Sequence, residues 1–557
     1  MSKSTLFELS FEVANKIGGI YTVLSSKNKL VQSRMNKYIT LGPYLHNKHD
    51  FKPLKNTEVI NKLQDSLNKE GIKIHYGEWT IPGSPKCILI DFKNLFSKVN
   101  DYKAYYYEKF GIESHQEGYD FEEPLLHATA TGILVEKYQE ITKENITLHS
   151  HEWMSGFANL YTKDNKKIRT VFTTHATIIG RSMVGSGEKL YQVQDQTDGY
   201  TKAKELGILG KYTSENAMLK NSDFSTTVSE ITKQEVHHLH GVEVKVVANG
   251  LDIATTPTYT QNLKTANSSK SKLLSVLNAT TPDTISSPDE NIILGFTSGR
   301  YEYRSKGLDY ILNTLQKLNE KIKKTNSNKT IAFYFLLAIP GSKPNGLITN
   351  NLLKLQKEKE YISKEIENQK ESLVKQTLAG KKEIKFSFNN ENSHKLNLNQ
   401  ARNTHTNIDP YFEDELNKRG LTNKKEDKVK IIYSPAYLDG DDGIYNTTYE
   451  DIITGMDIAV FPSYYEPYGY TPLESISQGI PTITTDYAGF GKYMEKYTNQ
   501  GLQVLKQVKP EDDKLLKAFT EFIGSSERKK DEDKIKAKLL AKKCDWKNII
   551  TGYIDNY

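Results

Sequence analysis

Along the first half of the chain, short β-rich apolar runs recur at residues 6–13, 39–41, 87–90, 146–149, 170–173 and 224–228, and the stretches between them carry helical patterns. Apolar runs of strand length alternating with helices are the mark of an α/β unit with a parallel sheet. The pattern breaks in a Ser-, Thr-, Asn- and Pro-rich stretch at 256–290 and then resumes. Residues 292–296, 330–337, 429–433, 458–461 and 482–484 read as strands, each followed by Gly or Pro and a helical segment. The expected fold class is therefore α/β: two Rossmann-like doubly wound domains, over 1–255 and 291–525, separated by a linker or excursion at 256–290. A helical insertion at about 345–428 interrupts the second domain. Within it, residues 351–376 form a Lys- and Glu-rich helix whose Leu352, Leu355, Ile362, Ile366 and Leu373 fall near heptad a and d positions, as in a solvated helix hairpin. Two such domains face ligands with the carboxyl ends of their strands, which places a donor and an acceptor in the cleft between them. By analogy with other two-lobed folds, the helices of 526–557, carrying Trp546 and Tyr553, cross back onto the first domain.

Composition narrows the function classes. A chain of 557 residues is too long for one ordinary core. Its 75 basic and 69 acidic side chains nearly cancel, to a formal +6, and are interspersed, so no nucleic-acid footprint is expected. Two cysteines, Cys87 and Cys544, cannot build a disulfide framework and fit a reducing compartment, the cytoplasm. The N-terminal residues lack a basic region followed by an apolar core. No apolar run approaches the roughly 20 residues that span a bilayer, so no membrane association is expected.

The densest chemistry lies in FPSYYEPYGYTPLES at 461–475, where two glutamates eight residues apart surround a turn rich in Gly, Pro and Tyr. Glu466 is expected at the carboxyl end of a strand. Glu474 is expected in the first turn of the following helix, whose free N–H groups and positive dipole end favour an anion such as phosphate. A second anion site is suggested where Lys16, Gly18 and Gly19 follow the first strand, because glycines let backbone amides approach a diphosphate without a Cβ in the way. A third follows the strand at 292–296, where Arg300, a bidentate fork, and Lys306, a point charge, stand six residues apart and can clamp two phosphates. Other patterns fail. His237, His238 and His240 lack the i, i+4 pairing of helix ligands and precede Gly241, so they suit a helix C-terminus. Asp439, Asp441 and Glu450 mimic an EF-hand, but Ile444 stands where glycine is needed. There is no GxxxxGK[ST] phosphate loop. No metal site is assigned.

The blocks VANKIGGIYTV, HEWMSG, VFTTHATIIGR, TTVSEIT, GRYEYRSKG and FPSYYEPYGYTPLESISQGIPTITT, spread from Phe7 to Trp546, resemble the glycogen synthases of animals and fungi. These are retaining glycosyltransferases with two facing Rossmann-like domains, the GT-B fold. NKIGGIYTV in particular follows the animal and fungal pattern, whereas the ADP-glucose-using bacterial and plant enzymes usually read KTGGL followed by an aspartate. The resemblance implies transfer of glucose from UDP-glucose to the 4-hydroxyl of a non-reducing α-1,4-glucan end, with retention and without a metal or other cofactor. It also implies cytoplasmic work on glycogen, a glycogenin-like primer and a homo-oligomer, with a tetramer among the possible assemblies. His175 would hydrogen-bond the transferred glucose and steady positive charge through its carbonyl, and Arg181 would hold a phosphate. His151, Glu152 and Trp153 would form a wall for donor and acceptor sugars. Asn249 would lie near the donor, Tyr449 would stack on uracil, and Tyr437 would flank the base. The backbone of Gly469, Tyr470 and Thr471 would donate to the distal phosphate, and Glu474 would bind ribose hydroxyls.

Retaining glycosidases use a nucleophile about 5 Å from an acid/base. The sequence offers no evident pair, so the expected course is a same-face displacement. The departing phosphate accepts the acceptor's proton, Glu466 positions sugar hydroxyls or stabilises the cationic transition state, and Arg300 and Lys306 take up the charge on the leaving diphosphate. Three departures from the family stand out. Tyr468 replaces a tryptophan that many relatives carry, with an expected effect on glucose or base packing. The helix pattern at 528–543 is mainly lysines mixed with Asp531, Glu532 and Asp533, where relatives place an arginine-rich sensor of glucose 6-phosphate. The chain ends about ten residues after Trp546, without a long phosphorylatable tail. Two other readings stand beside this one: another nucleotide-sugar transferase of the fold, of sucrose or trehalose type, and a non-catalytic glucan-binding scaffold.

Overall fold

The computed structural model describes residues 4–45, 50–282, 291–325, 327–380 and 398–557. Two sheets organise them. The first has nine strands: β1 (Ser4–Leu9), β2 (Tyr38–Pro43), β3 (Phe51–Pro53), β4 (Lys73–Trp79), β5 (Lys86–Asp91), β6 (Asn145–His151), β7 (Ile168–Thr174), β8 (Phe224–Thr227) and β9 (Lys245–Val246), in the order β3-β4-β5-β2-β1-β6-β7-β8-β9. The second has six: β10 (Ile292–Arg300), β11 (Thr330–Ala338), β12 (Val429–Tyr433), β13 (Ile458–Phe461), β14 (Thr482–Thr485) and β15 (Leu502–Leu505), in the order β12-β11-β10-β13-β14-β15. The second sheet is parallel throughout, and its strands are almost wholly buried, as expected where helices cover both faces. In both sheets the strand order reverses beside the first strand of the unit, β1 in one and β10 in the other, and a crevice opens there at the carboxyl ends.

Several elements differ from the sequence expectation. The first strand ends at Leu9 rather than at residue 13. The first sheet carries an antiparallel edge, β3-β4-β5, because β4 reads Lys-Ile-His-Tyr-Gly-Glu-Trp and its polar positions hide an edge strand exposed on one side. The stretch expected as a linker is instead, over Tyr259–Thr280, a 22-residue helix opened by a capping box of Thr258 and Gln261. It belongs to the second core: Leu273, Val276 and Leu277 pack with Leu294, Phe296 and Tyr334. Its buried stripe was disguised because two of the inward positions are polar, with Asn262 bonded to the Gln478 carbonyl at 2.8 Å and Ser269 to that of Asp451 at 2.8 Å. Residues 283–290 of the expected linker lie outside the described residues.

The insertion contains one 33-residue helix, Gly346–Leu378, of which only Ile348 and Asn351 are buried. The expected Lys- and Glu-rich helix at 351–376 lies wholly within it, with no hairpin turn in that span, and residues 381–397 of the insertion lie outside the described residues. The end of the chain does return to the first lobe. Leu251 and Asp545 form a parallel bridge, with the Leu251 N–H donating to the Cys544 carbonyl at 2.9 Å and the Trp546 N–H to the Leu251 carbonyl at 3.1 Å. The Trp546 indole then donates to Ser26 Oγ at 2.7 Å, and Tyr553 is buried against helix Gly19–Arg34 and the first sheet. Among the described residues no helix is long and apolar enough to cross a membrane.

Candidate functional site

The segment after β13 is held by the turn after β10. Gly307 has φ 64°, and a Cβ there would lie 2.2 Å from the Pro462 carbonyl oxygen, so glycine is what lets the two loops touch. Ser305 accepts from the Tyr464 N–H at 2.9 Å, and this docking brings the Lys306 ammonium onto the Glu466 carboxylate in an ion pair whose side chains are 19% and 20% exposed. Gly469, at φ 96°, turns the chain into helix Tyr470–Ser477 without a side-chain cap. Among the described residues the amides of Tyr470 and Thr471 have no protein acceptor. Across the cleft, helix Gly19–Arg34 begins at the same place, since a Cβ on Gly19 would stand 3.9 Å from the Tyr470 ring. Two helix N-termini, one from each lobe, thus converge where an anion would be stabilised.

A carboxylate already occupies part of one of them. Glu12 Oε2 accepts from the Gly18 N–H at 2.9 Å and the Tyr21 N–H at 2.7 Å. Burial raises its pKa, against those two bonds and the charges of Arg300 and Arg181. Arg300 is 62% exposed and pairs with Glu302 at 3.2 Å, so the expected two-cation clamp is not preassembled: Arg300 is held by Glu302 and Lys306 by Glu466. Arg181 stands on helix Ile178–Gly185 of the first lobe. Desolvation opposes its charge, but Glu152, Glu302 and Glu466 more than restore it, which places it against carboxylates of both lobes. Lys16 reaches toward Glu474, whose pKa is raised to about 7 by burial and by Glu450, with Lys16 pulling it down. Glu474 is the fifth residue of its helix rather than part of the first turn, so it points beside the anion site and not into it. Tyr449 stands over the same carboxylate and bonds Ser298 Oγ at 2.7 Å.

His175 ends β7. Its N–H, and that of Ala176, donate to Glu152 Oε1 at 2.9 and 3.0 Å, and Glu152 takes a left-handed φ of 68° to reach them. Burial and Glu215 raise the Glu152 pKa to about 7, opposed by Arg181. The His175 ring meets His151, Nε2 to Nδ1, at 2.9 Å, and His151 Nε2 meets Glu8 Oε1 at 2.9 Å. Glu8 also binds the Lys27 ammonium at 2.5 Å and the Tyr38 hydroxyl at 2.5 Å. Burial would raise the Glu8 carboxyl, but Lys27, His149 and His151 together hold it well below the usual range. Ligand-type atoms of Glu8, His149 and His151 gather within 4.8 Å, yet the cation among them is Lys27, which any metal would have to displace.

Other predicted residues sit elsewhere. Trp153 is no sugar platform: it is 8% exposed, stacked on Phe121 and covered by Lys211. His151 is 1% exposed with both ring nitrogens engaged, so it supports His175 rather than lining the cleft. Tyr468 is buried against Phe490, and its hydroxyl bonds the Asn249 carbonyl, while the Tyr470 hydroxyl reaches the Gly250 carbonyl at 3.1 Å. These two tyrosines fasten the lobes together through the neighbouring carbonyls of Asn249, 2% exposed, and Gly250. Tyr437 is 55% exposed at the rim. His237 pairs with Glu243 while His240 stacks on Tyr212 beside Glu215, so the three histidines form no cluster. Glu8, Glu12 and Lys27 were missed by sequence reasoning. A Glu inside an apolar strand run, and a Lys among the apolar positions of the next helix, were the available signals.

The glycogen synthase family model matches residues 8–556. Isoform 2 of glycogen [starch] synthase from Saccharomyces cerevisiae is 29% identical over 604 aligned positions, covering 99% of this chain and 85% of its own length. The liver glycogen [starch] synthase of Rattus norvegicus is 28% identical, covering 97% and 81%, and the glycogen [starch] synthase of Caenorhabditis elegans is 29% identical, covering 99% and 87%. Among solved structures, the catalytic domain of starch synthase IV from Arabidopsis thaliana, bound to ADP and acarbose, superimposes with a TM-score of 0.56 at 12% identity, over 100% of this chain and 98% of that one. The E. coli trehalose-6-phosphate protein bound to UDP-2-fluoro glucose does so with a TM-score of 0.51 at 12% identity, over 99% and 97%. Both are likenesses of fold.

Proposed function

The chain belongs to the glycogen synthase family and is a glycosyltransferase of the GT-B fold; we propose that it transfers glucose from UDP-glucose to the 4-hydroxyl of a non-reducing α-1,4-glucan end, with retention. The observation that carries this reading is the Lys306–Glu466 pair beside the unpartnered amides of Tyr470 and Thr471, because it sets an exchangeable cation, an acceptor carboxylate and anion-binding donors within one cleft.

On this reading the donor diphosphate takes the amides of Tyr470 and Thr471 and the charges of Lys306 and Arg300. Lys306 turns from Glu466 to phosphate as negative charge grows on the leaving group, and the freed carboxylate then faces the sugar carbon as it becomes positive. The acceptor 4-hydroxyl attacks from the same face and passes its proton to the departing phosphate oxygen. The reaction on this reading passes through no covalent enzyme intermediate. Glu474 and Tyr449 take ribose and base. These fixed charges and dipoles are proposed to serve in place of a metal. Work in the cytoplasm on glycogen started by a glycogenin-like primer, as a homo-oligomer, completes the proposal.

The test is UDP release from UDP-glucose and from ADP-glucose, each with and without glycogen. Glycogen-dependent release from UDP-glucose with chain extension is expected. Release that needs a free monosaccharide acceptor would favour the sucrose or trehalose type, and no turnover would favour a scaffold.

A further inference from the structure

Glu8, His151 and His175 lie on three neighbouring strand ends and form a line of hydrogen bonds that starts at a buried carboxylate and finishes in the cleft. β1 pairs with β6, placing Glu8 opposite His149, and β6 pairs with β7, placing His151 opposite Thr173, so the three side chains follow one another across the sheet. Glu8 Oε1 faces the Lys27 ammonium at 2.5 Å and His151 Nε2 at 2.9 Å, while Oε2 takes the Tyr38 hydroxyl at 2.5 Å. An ionised carboxylate only accepts, so the proton of that second contact sits on His151 Nε2. His151 is fully enclosed beside Lys27 and His149, and burial, first of the causes, pulls its pKa down to about 3, so the ring is neutral and its Nδ1 is a lone pair. The 2.9 Å contact from His151 Nδ1 to His175 Nε2 holds one proton, which His175 must supply. His175 is also neutral, with burial and then His151 holding its pKa far down. Its Nδ1 is consequently unprotonated and, among the described residues, has no partner.

We infer that Glu8 is a positioning residue which, through His151, fixes His175 as the Nε2–H tautomer, so that the ring presents the donor sugar with an acceptor only and selects a hydroxyl able to donate to it. The sugar half of this inference rests on the proposed glucosyl transfer; the tautomer half does not. The line is fenced by groups that keep its direction. Lys27 holds Glu8 ionised, and Tyr553 covers the Lys27 ammonium at 4.5 Å from its ring centroid. His149 sets Nε2 on Thr173 at 2.7 Å and Nδ1 on Tyr557 at 2.8 Å, with Glu8 Oε1 3.4 Å from that same Nδ1. Arg181 and Glu152 border His175 on the cleft side. Losing the carboxylate would let both histidines reverse, turning the acceptor at Nδ1 into a donor.

The first test is the full chain labelled with ¹⁵N-histidine and read by long-range ¹H–¹⁵N correlation at neutral pH. His151 and His175 should both show a protonated Nε2 and an unprotonated Nδ1; an Nδ1–H or charged form of either overturns the inference. The second uses the paired variant Glu8→Gln/Lys27→Met, which removes both charges together. Titrating the monodeoxyfluoro analogues of UDP-glucose should find one position whose loss weakens binding to the native chain about tenfold, as for one hydrogen bond of about 1.4 kcal/mol. In the paired variant that penalty should fall to about threefold or less, with a mixture of tautomers at His175. An unchanged penalty overturns the role of Glu8. If UDP-glucose itself does not bind, the functional reading fails while the tautomer result stands.

Discussion

Two lysine–glutamate pairs sit in this molecule with the same charges and opposite uses. Lys27–Glu8, between the first strand and the first helix, is 0% exposed on both sides, with Tyr38 and His151 also on the carboxylate. Lys306–Glu466, at the mouth of the second sheet, is about one-fifth exposed on both sides, and among the described residues its charged atoms have no other hydrogen-bond or ion-pair partner. A fully enclosed pair cannot exchange with water, and removing one member strands the other in a medium that cannot solvate it. A pair open to solvent is worth little to stability and is free to change partners when a more strongly charged ligand arrives. Access of water, more than the identity of the ions, separates a framework pair from a working one.

The largest expected effect is on the enclosed pair. Lys27→Met should lower unfolding free energy by about 3–5 kcal/mol in a urea titration, with the paired Glu8→Gln/Lys27→Met variant recovering most of it; a change like that of a surface lysine would dissolve the contrast. Next, Glu466→Gln should cut kcat by on the order of a hundredfold or more, about 2.7 kcal/mol of transition-state stabilisation, while moving stability by less than about 1 kcal/mol. Turnover from UDP-glucose at the native rate would remove Glu466 from the reaction.

A third expectation concerns pH. Glu152 and Glu235 have pKa values raised to about 7 from 4.5, chiefly by burial, so the folded state binds more protons than the unfolded one between those values. Their contribution to stability must fall as pH rises through that window, whereas that of Glu8, held low, is present above 4.5 and is lost only as pH falls toward its folded value. Glu152→Gln should flatten the fall on the neutral side, and melting curves across that range would read it. In the cleft, the Glu474 pKa of about 7 predicts a donor KM that rises on acidification through neutrality, a limb that Glu474→Gln abolishes. The smallest effect belongs to helix Glu527–Ala541. Arg528, Lys529 and Lys530 are already paired with Glu532, Asp533 and Glu527, so glucose 6-phosphate should change activity by less than about twofold.

The two doubly wound units and the Glu466 loop were legible in the sequence because buried parallel strands are continuous apolar runs and Gly307 and Gly469 mark forced turns. Three things were not. The helix Tyr259–Thr280 hid because Asn262 and Ser269 fill inward positions and answer to carbonyls far away in sequence. Trp153 and Tyr468 were assigned to ligand because an aromatic beside polar residues looks the same whether it faces sugar or core. Glu12, which lies before the first helix and accepts from its opening amides, and Glu8 beneath the histidines, whose partner His151 is 143 residues away, act through contacts that no local periodicity records.

The chain passes between the lobes along one edge, where Leu251 and Asp545 lie side by side. Two adjacent spans joined by their own amides stitch the lobes together twice at this edge. A protease nick in the outgoing span near Thr256 should therefore leave the halves attached through the return span.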